Sequence, residues 1–90
     1  MKKQAHVYYS GRVQGIGFRY AVYDIASRSR IGGWVKNLED FRVEAVAEAE
    51  EDILKIFLEE IRRRFFQQIE NADIEWLPAT GEFRDFRVRY

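Results

Sequence analysis

The chain has 90 residues, and its 15 basic and 15 acidic side chains leave a formal charge of zero at pH 7. We expect one domain over residues 1–90, and no nucleic-acid partner, because nucleic-acid binders carry a basic excess. The absence of cysteine excludes disulfides and thiolate metal sites, and a single histidine cannot build a multi-histidine metal site. No apolar run reaches the roughly 20 residues of a membrane span. The N-terminus also lacks the apolar segment of a signal peptide, so we expect a cytoplasmic protein.

The first half of the chain predicts a strand, a helix and a hairpin. Residues 6–10 are β-branched and aromatic, which favours a strand. Apolar residues then recur at helical spacing over residues 18–29, and Gly32-Gly33 ends that helix. Residues 34–37 and 43–47 predict the two strands of a hairpin.

The second half predicts another helix followed by two strands. Four acidic residues between positions 48 and 52 favour a helix N-terminus, where the helix dipole stabilises negative charge. An apolar stripe then runs from Ile53 to Phe65, and arginines 62–64 occupy the last turns. Residues 72–77 and 86–90 alternate between apolar and polar side chains, so each predicts a strand.

This order of elements predicts the fold class. Two strand–helix–strand units on one small sheet form a ferredoxin-like βαββαβ sandwich. We therefore expect an α/β (α+β) fold with an antiparallel sheet, both helices on one face, and a short extra C-terminal strand. The other face of the sheet is expected to be partly exposed.

A glycine-punctuated segment, residues 11–17, lies between the first strand and the first helix. Glycine lets the backbone approach a ligand closely, and the start of the following helix offers unpaired N–H groups and a positive dipole end. Such a segment can cradle a phosphate, and the planar fork of Arg19 can hold two phosphate oxygens. On physical grounds alone, a plain turn beside a solvated arginine fits the same residues equally well.

Two motifs carry a resemblance to a known family. Residues 10–20, SGRVQGIGFRY, resemble the acylphosphatase signature glycine-x-valine-glutamine-glycine-valine-x-phenylalanine-arginine. The second signature of that family resembles residues 33–37, GWVKN, with Asp40 and then Val43-Glu44. Residues 81–90 are similar to the usual ending of the family. The resemblance covers essentially the whole chain, in the same order and spacing.

The resemblance implies a hydrolase that splits the carboxyl–phosphate bond of acyl phosphates and needs no metal or cofactor. It makes Arg19 the phosphate ligand and Asn37 the residue that orients the attacking water. The substrate-binding loop that it implies consists of Gln14, Gly15, Ile16, Gly17 and Phe18. The expected partners are a small-molecule acyl phosphate and inorganic phosphate or sulfate, and we expect a monomer.

The sequence departs from the family pattern in three loops. Phe41 stands where relatives usually have glycine, at a turn position that favours positive φ, which is strained for phenylalanine. Ala49 replaces a common glycine before the second helix. Residues 65–69 replace the usual glycine-proline loop, and Gln67 and Gln68 there predict a longer helix.

Two other interpretations stay open. The chain also fits an acylphosphatase-like domain of a larger carbamoyl-phosphate-using maturation protein. The fold also fits a non-catalytic module for RNA or a small ligand, because ferredoxin-like sheets host many functions. That module predicts exposed basic and aromatic residues on the strands at RNA-binding spacing, a signature that this sequence lacks.

His6 is expected to be structural, and the acid pairs Glu50-Glu51 and Glu59-Glu60 are expected to form a solvated face.

Overall fold

The computed structural model describes residues 1–90, which form two helices and five strands. In chain order these are β1 (Lys2–Gly11), α1 (Phe18–Arg28), β2 (Gly32–Asn37), β3 (Val43–Glu50), α2 (Glu51–Arg64), β4 (Ile69–Pro78) and β5 (Phe86–Arg89). The strands form one sheet in the order β4-β1-β3-β2-β5. The pairs are antiparallel except that β5 runs parallel to β2. The predicted ferredoxin-like arrangement is confirmed, and the parallel fifth strand makes the sheet mixed instead of wholly antiparallel.

Both helices cover the same face of the sheet. Alternate residues of the strands point toward the helices, and they join the helix side chains in an 18-residue apolar cluster. Its largest fully buried members are Phe18, Phe57, Ile25, Ile31, Leu54 and Ile61. Neither helix is long and apolar enough to cross a membrane.

Two of the acids expected at the start of the second helix belong to β3 instead. The pairing of β1 with β3 continues to Lys2 opposite Glu50, so the strand extends through Glu48. The Glu48 carboxylate is only 9% exposed. It accepts hydrogen bonds from Gln4 Nε2 at 2.7 Å, Thr80 N at 2.8 Å, Thr80 Oγ1 at 2.9 Å and Gly81 N at 3.1 Å. This carboxylate therefore anchors the segment that leads to β5.

The prediction that Gln67 and Gln68 lengthen the second helix is wrong. The helix ends at Arg64, and the N–H groups of Gln68 and Ile69 both donate to the Phe65 carbonyl, at 3.0 and 2.9 Å. The Phe65 ring packs edge-on against Phe18, with ring centroids 4.8 Å apart. The partly buried Phe65 ring packs against the core at the turn that leads the chain back into β4.

Candidate active site

The glycine-rich loop lies where β1 ends and α1 begins. Gly15 and Gly17 have φ angles of 77° and 80°, in the left-handed region that glycine tolerates and other residues rarely adopt. A Cβ atom placed on either residue would meet no other atom within 4 Å. These two positions therefore need glycine for backbone conformation, and open space lies beside both.

The loop meets the exposed N-terminus of α1. Gly17 precedes the first turn, no side chain caps that turn, and the turn contains no acidic residue. The first N–H groups of a helix have no intrahelical acceptor, and that end of the helix dipole is positive. The loop thus presents uncompensated N–H donors, which is the arrangement that binds anions in proteins.

Arg19 and Asn37 line one cavity of about 90 Å³ at this end of the sheet. Since about 10–15 Å³ of such volume is enough to hold one water, the cavity has room for several waters or for a small anion. The remaining lining residues are Val13, Gly15, Gly17, Phe18 and Tyr20. The cavity thereby brings together five of the seven residues singled out from the sequence. The other two, Gln14 and Ile16, line a neighbouring cavity of about 380 Å³.

Asn37 is the last residue of β2, and its side chain offers a free acceptor. The Oδ1 atom is buried, and no protein group donates a hydrogen bond to it. A buried polar atom without a partner costs about 1–3 kcal/mol, and such atoms are rare in folded proteins. Asn37 therefore has an unused acceptor, and the residue lines the same cavity as Arg19.

Arg19 is held by the C-terminal end of the chain. Its Nη1 donates to the Arg89 carbonyl at 3.2 Å, and its guanidinium lies 4.7 Å from the centroid of the Tyr90 ring. A hydrogen bond between the Tyr20 and Tyr90 hydroxyls raises the pKa of Tyr90. Since a guanidinium has five N–H donors, these contacts orient Arg19 and leave donors for an anion.

The Gln14 side chain ties the loop to the β2–β3 turn. Its Nε2 donates to the carbonyls of Leu38 at 2.8 Å and Arg42 at 2.9 Å. These two bonds use both amide hydrogens, so only the backbone N–H of Gln14 is left to contact a phosphate. The sequence motif contains Gln14, but nothing in the motif indicates this clamp.

The β2–β3 turn has the positive φ that the sequence predicts at position 41. Phe41 has a φ of 72°, and its side chain is 74% exposed. The Arg42 guanidinium donates from Nε to Asp40 Oδ2 at 2.8 Å, and this hydrogen bond lowers the pKa of Asp40. The turn is therefore well organised, although it holds a phenylalanine in a conformation that suits glycine.

Polar groups elsewhere do not converge on the cavity. His6 lies on the open face of the sheet, where its Nε2 is 2.7 Å from Glu44 Oε2. No three His, Asp or Glu side chains of the chain are grouped so that they could hold a metal ion. None of the residues that line the 90 Å³ cavity is a carboxylate or a histidine.

Comparisons with known proteins agree with this geometry. The family model for acylphosphatase matches residues 5–88. An acylphosphatase from Caldanaerobacter subterraneus subsp. tengcongensis is 38% identical over 89 residues, which cover 98% of this chain and 99% of the relative. The crystal structure of acylphosphatase from Bacillus subtilis superposes with a TM-score of 0.91 at 34% identity, covering 98% of this chain and 99% of that one.

A larger protein contains a similar part. The crystal structure of HypF from T. kodakarensis matches with a TM-score of 0.83 at 32% identity, over 98% of this chain but 12% of that chain. The same architecture therefore occurs both in proteins of this length and within a longer one. With the family match over nearly all of its residues, the chain belongs to the acylphosphatase family, and its activity is the hydrolysis of acyl phosphates.

Proposed function

We propose that the 90 Å³ cavity is the catalytic site, with Arg19 and the N–H groups of residues 14–18 binding the phosphoryl group. The observation that carries this proposal is the free acceptor on Asn37, which shares the cavity with Arg19. In this role Asn37 Oδ1 accepts a hydrogen bond from the attacking water. The water keeps a lone pair directed at phosphorus, and the amide fixes its orientation without removing its proton.

The reaction then needs little beyond charge stabilisation and orientation. The water oxygen forms a bond to phosphorus while the bond from phosphorus to the acyl oxygen breaks. The electron pair of that bond leaves with the carboxylate, a good leaving group that needs no protonation. Arg19 and the backbone donors stabilise the negative charge on the phosphoryl oxygens in the transition state. The proton of the water passes to a phosphoryl oxygen, since no lining residue is a carboxylate or a histidine.

The proposed site also accounts for inhibition by the product, and it bears on the quaternary state. Inorganic phosphate carries the same oxygens as the transferred group, so it occupies the same donors and inhibits competitively. Sulfate has the same shape and binds there too. Every residue of the proposed site comes from one chain, and we propose that the protein acts as a monomer with one domain over residues 1–90. The cytoplasmic location stays a prediction.

The test is the kinetics of Asn37→Ala with benzoyl phosphate, measured with a chelator present. A contact made to water mainly in the transition state lowers kcat and leaves KM nearly unchanged. We expect kcat to fall by roughly two to three orders of magnitude, as for the loss of one positioned polar group. Inhibition by phosphate should stay within a few-fold of the wild type.

The matched control is Asn71→Ala, which removes the same amide from the exposed face of β4. This variant should hydrolyse benzoyl phosphate at the wild-type rate. If Asn37→Ala instead weakens phosphate inhibition strongly and keeps its kcat, Asn37 is a phosphate ligand, and the water-orienting role is wrong.

A further inference from the structure

A second cavity, of about 380 Å³, lies on the other side of the glycine-rich loop. Its lining residues are Gly11, Arg12, Gln14, Ile16, Phe41 and Gln68. Gly15 and Gly17, on either side of Ile16 in the chain, line the catalytic cavity. Since consecutive Cα atoms are about 3.8 Å apart, a wall only one residue thick separates the two cavities.

Two of the residues that line this second cavity have large apolar side chains. Ile16 is 44% exposed and Phe41 is 74% exposed, although they come from different loops. The Gln14 side chain bonds to Leu38 and Arg42 on either side of Phe41 and thus fixes the two loops relative to each other. Exposed apolar side chains held together beside a reaction site are typical of a ligand-binding surface.

The conformation of Phe41 supports a binding role. Its φ of 72° is strained for any residue other than glycine, and its ring is mostly exposed, so packing within the chain does not compensate for the strain. Backbone strain of this kind is concentrated at functional sites. Arg12, the one charged residue that lines this cavity, forms no ion pair in the structure. An unpaired guanidinium can stack on an aromatic face.

We propose that this second cavity is the subsite for the acyl group and that it selects acyl phosphates with an aromatic acyl group. The inference rests on the proposed function, because the phosphoryl group must lie in the loop for the acyl group to extend past Ile16. An aromatic ring there contacts Ile16 and the Phe41 ring, and the Arg12 guanidinium contacts its face. An acetyl group is too small to make these contacts.

The experiment compares kcat/KM for benzoyl phosphate and acetyl phosphate in the wild type, Phe41→Gly and Phe41→Tyr. For Phe41→Gly we expect kcat/KM on benzoyl phosphate to fall roughly two- to tenfold, the size of one aromatic contact, through a higher KM. The value on acetyl phosphate should not change. Phe41→Tyr keeps the ring and should keep the wild-type ratio of the two substrates.

Arg30→Gly is the matched control. Arg30 is the other non-glycine residue with positive φ, at 55°, and it follows the C-terminal end of α1, outside both cavities. This variant should leave both kcat/KM values unchanged. A folded Phe41→Gly protein with an unchanged substrate ratio, or with equal losses on both substrates, would overturn the subsite while the proposed function stands. A wild type that hydrolyses neither substrate would refute the proposed function itself.

Discussion

Replacement of Phe41 by glycine should make the protein more stable. The φ of 72° places Phe41 in the left-handed region, and relief of that strain contributes about 1–2 kcal/mol. The greater freedom of glycine in the unfolded chain costs about 0.4–1 kcal/mol. Little buried surface is lost, because the side chain is 74% exposed. With central values of about 1.5 and 0.7 kcal/mol, the net gain is about 0.8 kcal/mol, which raises the Tm of a domain of this size by about 3–6 °C.

Thermal unfolding followed by circular dichroism measures this shift. Phe41→Ala is the informative control, because alanine removes the ring but keeps a Cβ atom and therefore keeps the strain. We expect the Tm of Phe41→Ala not to exceed that of the wild type. An unchanged or lower Tm for Phe41→Gly would refute the reasoning, because it would mean that contacts of the ring outweigh the strain.

Three further predictions concern Arg19, the glycine-rich loop and the buried carboxylate of Glu48. Arg19→Lys should have no detectable activity while remaining folded, because a point charge cannot replace a two-pronged grip; Arg28→Lys, on the same helix, is the control and should be fully active. Titration with inorganic phosphate should shift the amide NMR signals of Gln14–Arg19. Shifts confined to Arg62–Arg64 would contradict phosphate binding in this loop. Glu48→Gln should lower the free energy of unfolding by about 1–3 kcal/mol at pH 7, because an amide cannot accept all the hydrogen bonds of the carboxylate. Burial raises the pKa of Glu48, but hydrogen bonds from Thr80, Gln4 and Gly81 outweigh that effect and lower the pKa below its model-compound value of 4.5. The stabilisation is therefore present above about pH 4.5 and is lost as the pH falls through the folded-state pKa. Denaturation at several pH values should accordingly show the wild type approaching Glu48→Gln in acid, and a constant difference would be inconsistent with this origin.

Local patterns made much of the fold predictable. The spacing of Phe18, Val22 and Ile25 places one apolar face on α1, and the structure buries all three residues. The glycines at positions 15 and 17 indicated a loop with unusual backbone angles, and both have positive φ. These features depend on residues that are close in sequence, so periodicity and glycine positions are sufficient to find them.

Long-range pairing explains what the sequence did not reveal. β1 begins at Lys2 instead of residue 6, because it lies between β3 and β4 and both neighbours continue its pairing. Glu48 looked like a residue of a helix start, and its partners Thr80 and Gly81 come from a distant segment. In the candidate site, the resemblance predicted Arg19 and Asn37. No local pattern indicated that Arg89 and Tyr90 would hold Arg19.

The contact between Arg19 and Arg89 has a consequence for the order of folding. The two residues are 70 positions apart in sequence. Closing so long a loop costs entropy, so we expect this contact to form late in folding. β5 has four residues and pairs with β2 alone, so it is the strand most prone to open locally while the rest of the sheet stays intact. Each such opening frees the Arg19 guanidinium from its anchor. Because we propose that phosphate binds this guanidinium and holds it in place, we expect phosphate to protect the amides of β5 from hydrogen exchange.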